Sequence, residues 1–572
     1  MVARGERTNA LALALLLLIA AGLRLLDLGV RPLWFDEAME YWVASAPLPQ
    51  LLAAVRGGIQ DPPLYSLLLH AWLPFTSDAF GLRLPSVLFS LGSVLGVALV
   101  AQRLGSREVR SQESGVRSPD VCSSLQLPVR RSAMLAGLVA GVILALLPTE
   151  IRYAQEAGQY ALMGFTVTLN LLALQRLQAR PDTLSCLFWV TSALLASYTF
   201  YGALLAVAAP LAVLLLDATV RRNWRRLLII GGCGLAYTSG LLPLLLLFLP
   251  AQLSGGASPN AFRLTFTNPF VALIELGNDL SAALVFQLAG SPWTVVPLGV
   301  LWLALGLSAL LVLTTVPRLD AQQRLWPAFL LAIYAANALT DLLNLLPLGF
   351  RYILISSPLL AVVIGQAAGT ALEQNSKFRT QNSEDAPQGS VALLRTRTIA
   401  VLTLTLLLFV CLFSLPQRSV REILQPPGYL AWPETEDTQA MVQFWQQARA
   451  PHEPTYIASG ALPAFAYYQG WDEQFNEALP PAWYTACWRA ATPQFCTYDR
   501  VALGIWLGGR STPQMLDDLR RVVDAETESF WVLAAHHHPP ELDILLNLAS
   551  EFYTMSQPYD GHNATAYYFE RR

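Results

Sequence analysis

Long apolar stretches divide most of this chain into segments of about the length that crosses a bilayer. A transmembrane helix needs about 20 consecutive apolar residues, and stretches near this length recur up to about residue 416. The pattern predicts a polytopic α-helical membrane protein with about eleven transmembrane helices. They fall at roughly 9–28, 82–102, 133–149, 157–175, 184–200, 202–217, 227–249, 292–316, 326–346, 350–369 and 398–416.

The first apolar segment follows Arg4 and Arg7 and could pass for a secretory signal. A cleaved signal has an apolar core of about 7–15 residues followed by a cleavage site between small residues. Here the apolar character continues to Leu28 without a persuasive site. We therefore expect a retained first helix.

Basic residues are distributed unevenly between the loops. The N-terminus and alternate loops hold 20 of them, against 7 in or beside the opposite loops before residue 417. Because basic loops stay on the cytoplasmic side, two crossings must separate the basic segments 176–183 and 218–226. The pattern predicts a multi-pass protein of the plasma (inner) membrane, with a cytoplasmic N-terminus and an extracytoplasmic C-terminal segment.

Two predicted cytoplasmic loops, about 106–132 and 373–390, are polar and rich in Ser, Gln and Arg. Such a composition buries too little apolar surface to offset the loss of chain entropy. We expect both loops to be disordered and dispensable for chemistry.

The pattern changes after about residue 416 to that of a soluble domain. An amphipathic helix is predicted within 432–448, with Thr435 or Asp437 able to cap it. The segment 454–469 predicts a strand and then a helix, and 530–557 predicts a strand, a loop and a helix. Alternating strands and helices favour a small α/β domain. We divide the chain into a membrane domain, 1–416, and an extracytoplasmic α/β domain, 417–572.

Composition agrees with the membrane assignment. The chain is 54% hydrophobic and 13% charged, about half the charged fraction of a typical soluble protein. A net charge of −3 and the lack of a basic patch with interleaved aromatics give no indication of nucleic-acid binding. Cys487 and Cys496 share the C-terminal domain, where an oxidising compartment would allow a disulfide; a linked pair and two free thiols both stay open.

Acidic residues gather where the first helices are predicted to leave the membrane. Asp36 and Glu37 lie in PLWFDEAMEYW, and Asp61 precedes two prolines. Carboxylates at a membrane face suggest chemistry, but acidic interfacial loops with Trp and Tyr belts are also common. Asp61 either caps a helix or joins Asp36 and Glu37 around a divalent cation, a reading we do not favour. No cofactor is expected.

Five short segments occur in order at the predicted outer helix ends: WFDEA, DPPLY, LRLPS, EIRYAQEAGQYAL and FRYILISSPLL. Together they resemble the dolichyl-phosphate-mannose protein mannosyltransferase-like family, whose bacterial relatives include the lipid A aminoarabinose transferase. The resemblance covers roughly residues 9–370. It implies the C-type glycosyltransferase fold, a polyprenyl-phosphate sugar donor, an extracytoplasmic active site and inversion at the anomeric carbon. The sugar and the hydroxyl acceptor stay open.

The resemblance implies roles for individual residues. Asp36 matches the catalytic base, which takes the acceptor's proton, and Glu37 supports it by orienting the acceptor or a metal. Arginines at the outer helix ends would hold the lipid phosphate, or would merely snorkel toward lipid headgroups. The expected substrate-binding residues are Asp61, Arg83, Arg152, Glu156, Tyr160, Arg351 and Tyr352.

Three points weigh on this interpretation. Family members commonly carry an arginine where this chain has Gly158, so either Arg152 substitutes, the donor headgroup differs, or activity is reduced. The run from His536 to His538 predicts a polar loop rather than a zinc site, because adjacent residues seldom ligate one ion. A lipid or sugar transporter, or an inactive family relative, is the alternative function, although the helix centres are nearly free of the charges that transporters use.

Overall fold

The computed structural model describes most of the chain and gives it a mainly helical architecture. The described residues are 2–58, 62–76, 78–113, 119–254, 295–342, 354–380, 398–408, 435–469, 497–498, 500–504, 511–536 and 539–572. The chain forms two compact units. The helical unit comprises Met1–Leu26 and Leu84–Gln417, and the mixed unit comprises Asp27–Arg83 and Arg418–Arg572.

The helices are, in chain order, α1 (Val2–Leu25), α2 (Phe35–Ser45), α3 (Leu48–Arg56), α4 (Leu64–Trp72), α5 (Ala79–Glu113), α6 (Pro119–Leu146), α7 (Pro148–Ala154), α8 (Gln159–Ala179), α9 (Thr183–Thr199), α10 (Ala203–Val220), α11 (Trp224–Pro243), α12 (Leu249–Ser254), α13 (Val295–Thr315), α14 (Leu325–Leu342), α15 (Ser357–Thr380), α16 (Thr398–Leu408), α17 (Thr438–Ala448), α18 (Leu462–Gln469), α19 (Thr512–Leu519) and α20 (Pro539–Ser550). A π-helical turn, Leu244–Phe248, joins α11 to α12.

Each of the eleven apolar segments predicted from the sequence overlaps a helix within the described residues. Within the described residues, five helices are long and apolar enough to cross a membrane, and the bent pair α6–α7, broken by 62° at Leu147, makes a sixth. The protein is therefore an integral membrane protein. The five are Arg7–Leu25, Ala79–Ser106, Ala203–Val220, Trp224–Gln252 and Leu354–Ala371.

Helices extend into both polar segments for which the sequence predicts disorder. Helix α5 continues to Glu113 and α6 begins at Pro119, while α15 reaches Thr380. Lengthening an existing helix costs far less than starting one, and Gln, Arg, Glu and Leu are good helix formers. Residues 114–118 and 381–390 lie outside the described residues, and the dispensability of both segments stays a prediction.

Small residues bring α6 and α15 into close contact in the helical unit. A Cβ at Gly365 would lie 2.5 Å from the carbonyl oxygen of Ala136, and one at Gly369 would lie 2.8 Å from the Cβ of Ala136. This spacing of two glycines four residues apart is the small-residue pattern that lets membrane helices approach closely. A side chain at Gly365 would push the two helices apart.

The mixed unit is built on a six-stranded sheet. Its strand order is β2-β3-β1-β4-β6-β5, with β1 parallel to both β3 and β4 and the remaining pairs antiparallel. Phe530 and Phe569 stack in its core, with ring centroids 4.7 Å apart. The strands are β1 (Thr455–Ile457), β2 (Thr497–Tyr498), β3 (Val501–Leu503), β4 (Ser529–Ala535), β5 (Tyr553–Gly561) and β6 (Ala564–Arg571).

The C-terminal prediction is confirmed in its main elements, and the domain division differs in one respect. Helices α17, α18 and α20 and strands β1 and β4 lie where the sequence placed them. The sequence assigned residues 27–83 to the membrane domain, however, whereas the structure groups them with the C-terminal residues. Hydropathy along this segment does not reveal which elements its helices pack against.

Candidate active site

Helix α2 carries the acidic motif in its first turn. The helix begins at Phe35 after the extended residue Trp34, so Asp36 and Glu37 lie where the helix's backbone N–H groups have no intrahelical partner. Negative charge is favourable at this end of the helix dipole. Acidic side chains are therefore well placed at this end of α2.

Glu37 is held by Arg83 in a fully buried ion pair. The Nε and Nη2 atoms of Arg83 donate to the two Glu37 oxygens, each over 2.6 Å. Nη1 donates to the carbonyl oxygens of Leu28 and Arg31 over 2.7 and 2.8 Å, and Nη2 also donates to that of Pro32 over 2.9 Å. All five N–H donors of the guanidinium are engaged.

With these bonds Arg83 ties the residue 28–32 turn to α2. Both oxygens of Glu37 face Arg83, so Glu37 anchors the helix to the same turn. The hydropathy pattern could not show this pairing, because a buried arginine and a snorkelling one share the same sequence context. The substrate-binding role of Arg83 and the orienting role of Glu37 stay predictions.

Two further polar contacts hold α2 against α4. Ser66 Oγ donates to Glu40 Oε1 over 2.5 Å, and Glu40 is buried. The ring Nδ1 of His70 lies 2.7 Å from the Ala44 carbonyl oxygen. Asp36 differs from Glu37 and Glu40 in that its side chain is partly exposed. Of the three carboxylates of α2, Asp36 is therefore the one that is accessible to a molecule in solvent.

The C-terminal part of the mixed unit supplies the cap of α2. The Phe35 N–H donates to Glu436 Oε2 over 3.1 Å, and the other oxygen of Glu436 lies 2.9 Å from His536 Nδ1. The His536 ring stacks on Phe35, with centroids 4.4 Å apart and planes within 8°. The sequence interpretation missed both residues, because the contact joins positions 401 residues apart and carries no local signal.

Burial raises the pKa of the Glu436 carboxyl above its ordinary value. Hydrogen bonds from His536 and from the Phe35 amide favour the ionised form, and the nearby Asp36 charge disfavours it. Burial is the largest of these effects.

Other contacts fix the same segment. Tyr468 accepts a hydrogen bond from the Leu33 N–H over 2.5 Å, and Trp42 Nε1 donates to the Pro463 carbonyl over 3.0 Å. Tyr41 meets Tyr467 edge-to-face with centroids 5.0 Å apart. Helix α18 thus packs along α2, so the acidic motif is placed by the C-terminal fold.

A second polar cluster lies in the helical unit, in the EIRYAQEAGQYAL motif. Arg152 Nη1 and Glu156 Oε2 form a buried ion pair at 2.7 Å, and the rings of Tyr153 and Tyr160 lie 4.4 Å apart. A Cβ at Gly158 would lie 3.0 Å from Glu156 Oε1. A side chain at position 158 would begin beside Glu156, which in this chain pairs with Arg152. That Arg152 substitutes for the arginine expected from the resemblance stays a prediction.

The bend between α6 and α7 positions this cluster. Glu150 in α7 accepts a hydrogen bond from Ser357 Oγ at the start of α15. Arg24 donates to the Leu144 and Ala145 carbonyls at the end of α6 over 3.2 and 3.0 Å. Gln155 donates in return to the carbonyls that end α1. Arg24 and Gln155 are further residues that the sequence interpretation did not assign.

Several expected site residues lie outside the described residues. These are Asp61, Arg351 and Tyr352, as well as Cys487 and Cys496. Among the residues that the structure describes, no group of three His, Cys, Asp or Glu side chains is arranged to hold a metal ion. The cation site at Asp36, Glu37 and Asp61 stays untested, and both Glu37 oxygens bind Arg83.

No protein-family model and no curated protein matches this sequence. Solved structures with a similar fold include ArnT from Cupriavidus metallidurans bound to undecaprenyl phosphate, which is 13% identical at a TM-score of 0.48 and aligns over 98% of this chain and 97% of its own. The same protein in the apo state is 14% identical at a TM-score of 0.48, over 99% and 98% of the two chains.

Proposed function

We propose that this protein is a membrane glycosyltransferase that moves a sugar from a polyprenyl-phosphate donor to an acceptor hydroxyl on the extracytoplasmic face. The observation that carries the proposal is the state of the acidic motif. On α2, Glu37 and Glu40 are buried and bound to Arg83 and Ser66, whereas Asp36 sits partly exposed in the first turn. A rigidly mounted, accessible carboxylate is what a general base requires.

The reaction follows from that role. As the acceptor oxygen attacks the anomeric carbon, its proton passes to Asp36. The carbon–oxygen bond to the phosphate breaks on the opposite side, the electron pair leaves with the polyprenyl phosphate, and the anomeric configuration inverts. Charge developing on the phosphate calls for fixed cations; the matched motifs assign this task to Arg351, with Arg152 as a second cation.

The test is to incubate the purified full-length protein with a panel of polyprenyl-phosphate sugars and measure released polyprenyl phosphate. Undecaprenyl carriers come first, since undecaprenyl phosphate is the lipid held by ArnT in the solved complex. We expect release with at least one sugar, with water serving as a slow acceptor. Folded protein that releases no lipid phosphate from any donor, with or without a crude envelope extract as acceptor source, would refute the proposal.

A further inference from the structure

The start of α2 is completed by groups that come from the far end of the chain. The Phe35 amide, one residue before Asp36, donates to Glu436, and the Phe35 ring carries the stacked ring of His536. Glu436 bridges the two, since one of its oxygens accepts from the amide and the other lies against His536 Nδ1. A helix's first N–H groups are ordinarily capped by the residue before the helix; here the cap comes from a separate segment.

Glu436 is itself fixed by the β5–β6 hairpin. Asp437 exchanges two hydrogen bonds with His562: its N–H donates to the His562 carbonyl over 2.9 Å, and its carboxylate accepts from the His562 N–H over 3.0 Å. Asn563 Nδ2 donates to the Thr435 carbonyl over 3.0 Å. The residues on both sides of Glu436 are therefore tied to the hairpin turn, which holds in place the backbone that carries the Glu436 side chain.

The backbone at His536 is also unusual. His536 has a φ of 47°, in the left-handed region that non-glycine residues rarely adopt. Gly460 makes this turn possible, because a Cβ there would lie 2.4 Å from the carbonyl oxygens of both Ala535 and His536. Strained backbone of this kind persists where the surrounding structure holds it and often marks functional positions.

We infer that Glu436 is a positioning residue for Asp36: it caps α2 from outside and, with His536, fixes the direction in which the Asp36 carboxylate points. This inference rests on the proposed function only for its effect on turnover. Its structural content, the capping of α2 by Glu436, can be measured without any substrate.

The experiment compares Glu436→Ala, Glu436→Gln and a matched control, Glu453→Ala, in the full-length protein. Glu453 belongs to the same sheet region and accepts hydrogen bonds from Ser529 and Trp531 over 2.7 and 2.8 Å. Hydrogen–deuterium exchange should become about fivefold faster at the amides of residues 35–38 in Glu436→Ala, the effect of losing one helix cap. Glu436→Gln keeps an oxygen for the Phe35 N–H and should exchange like the unaltered protein, and so should Glu453→Ala at residues 35–38.

Turnover should distinguish Glu436→Ala from Glu436→Gln in the same way. Glu436→Ala should lower kcat by about ten- to a hundredfold with little change in the donor KM, because misplacing the base affects the transition state more than binding. Glu436→Gln should retain most of the activity. Asn563→Gly, which keeps the turn and removes the bond to Thr435, offers a milder lesion if Glu436→Ala does not fold, and should raise exchange at residues 35–38.

Each result decides one question. Unchanged exchange at residues 35–38 in both Glu436→Ala and Asn563→Gly, or equal acceleration in Glu453→Ala, would overturn the positioning role. If no donor is turned over by the unaltered protein but the exchange pattern is as expected, the capping role stands and the glycosyltransferase proposal fails. If the protein is active and Glu436→Ala keeps its kcat, Glu436 does not position Asp36.

Discussion

At the scale of single residues, Asp36 and Glu37 are neighbours in sequence with different surroundings. The two oxygens of Glu37 bind Arg83 in the interior, whereas Asp36 is partly exposed. Replacing Asp36 by Asn keeps the size and polarity but removes the proton acceptor. We expect Asp36→Asn to lower sugar transfer by about 10²–10⁴, the usual contribution of a general base, measured as released polyprenyl phosphate.

A suitable control for that variant is Asp78→Asn. Asp78 is an exposed acid that accepts hydrogen bonds from Thr76 and Gly81 just before α5, and it lies outside the matched motifs. Its loss should leave turnover within about twofold, as for most surface substitutions. Near-normal activity in Asp36→Asn together with a large loss in Asp78→Asn would place the base elsewhere.

The buried pair of Arg83 and Glu37 leads to a prediction about stability. Removing one partner leaves a lone buried charge, which costs about 3–5 kcal/mol. Arg83→Met should therefore lower the unfolding temperature in detergent markedly, and the double variant Arg83→Met with Glu37→Gln should recover part of the loss. A stable Arg83→Met protein with only a raised donor KM would instead support the phosphate-binding role expected from the sequence.

The raised pKa of Glu436 predicts a dependence of stability on pH. Burial, with the Asp36 charge adding to it, lifts this pKa above 4.5 in the fold against the hydrogen bonds from His536 and Phe35. Stability from such a group is complete when it is protonated and is lost as pH rises through the folded-state pKa. As pH rises above 4.5, the unfolding temperature of Glu436→Gln should increase relative to that of the unaltered protein.

Glu453, in the same unit, has a pKa that is shifted in the opposite direction. Burial alone would raise its pKa, but hydrogen bonds from Ser529, Trp531 and Ala450 bring the pKa below the ordinary 4.5. Its stabilisation is present above that value and is lost as pH falls. Glu453→Gln should therefore be less stable than the unaltered protein at neutral pH and should approach it in acid. Parallel curves for the two Gln variants would contradict both assignments.

At the scale of elements, α1 and the α6–α7 bend cap each other. Arg24 binds the final carbonyls of α6, and Gln155 binds those of α1. A buried carbonyl without a partner costs about 1–3 kcal/mol, so Arg24→Met and Gln155→Met should each lower the unfolding temperature. Because both hold one junction, their combined effect should depart from the sum. Arg7→Met, at an exposed position of α1, serves as control, and strict additivity would show that the two caps act independently.

The sequence predicted elements well where one property determines them. Apolar length placed each predicted membrane segment on a helix within the described residues, and the soluble character of the C-terminal sequence indicated β1, β4 and the helices that follow them. It did not place α2 with the C-terminal unit, since that depends on contacts such as Trp42 with Pro463, 421 residues away. It predicted a polar loop at His536, which does follow the end of β4, but the run of histidines gives no sign of the contact with Phe35.

At the scale of the whole molecule, the arrangement of basic residues predicts a direction of insertion. The 20 to 7 asymmetry of basic residues should keep the residue 115 region in the cytoplasm and the chain after residue 430 outside it. Reporters that are active on only one side of the membrane, inserted at these two positions, measure this. A reversed signal at either position would move the acidic motif to the cytoplasmic face and refute the proposed location of the reaction.

At this scale the sequence indicated many residues of the candidate site, but it did not indicate what each of them contacts. Motif order marked Asp36, Glu37, Arg83, Arg152 and Glu156 together. The exposure of Asp36 and the buried pairing of Arg83 with Glu37 depend on tertiary packing. A linear sequence pattern does not contain that information. Glu436 is the clearest example, since no sequence feature near it indicates its hydrogen bond with Phe35.

The long reach between Phe35 and Glu436 also has a consequence for biogenesis. The hydrogen bond joins residues 401 positions apart, and a ribosome adds about 5–20 residues per second. The first turn of α2 therefore waits roughly 20–80 seconds after its own synthesis for its cap, and longer for His536. All the predicted membrane segments are made before the cap is. A chain that ends before residue 436 would keep the acidic motif but lack the Glu436 carboxylate that caps α2. The start of α2 is therefore completed only after all the predicted membrane segments have been synthesised.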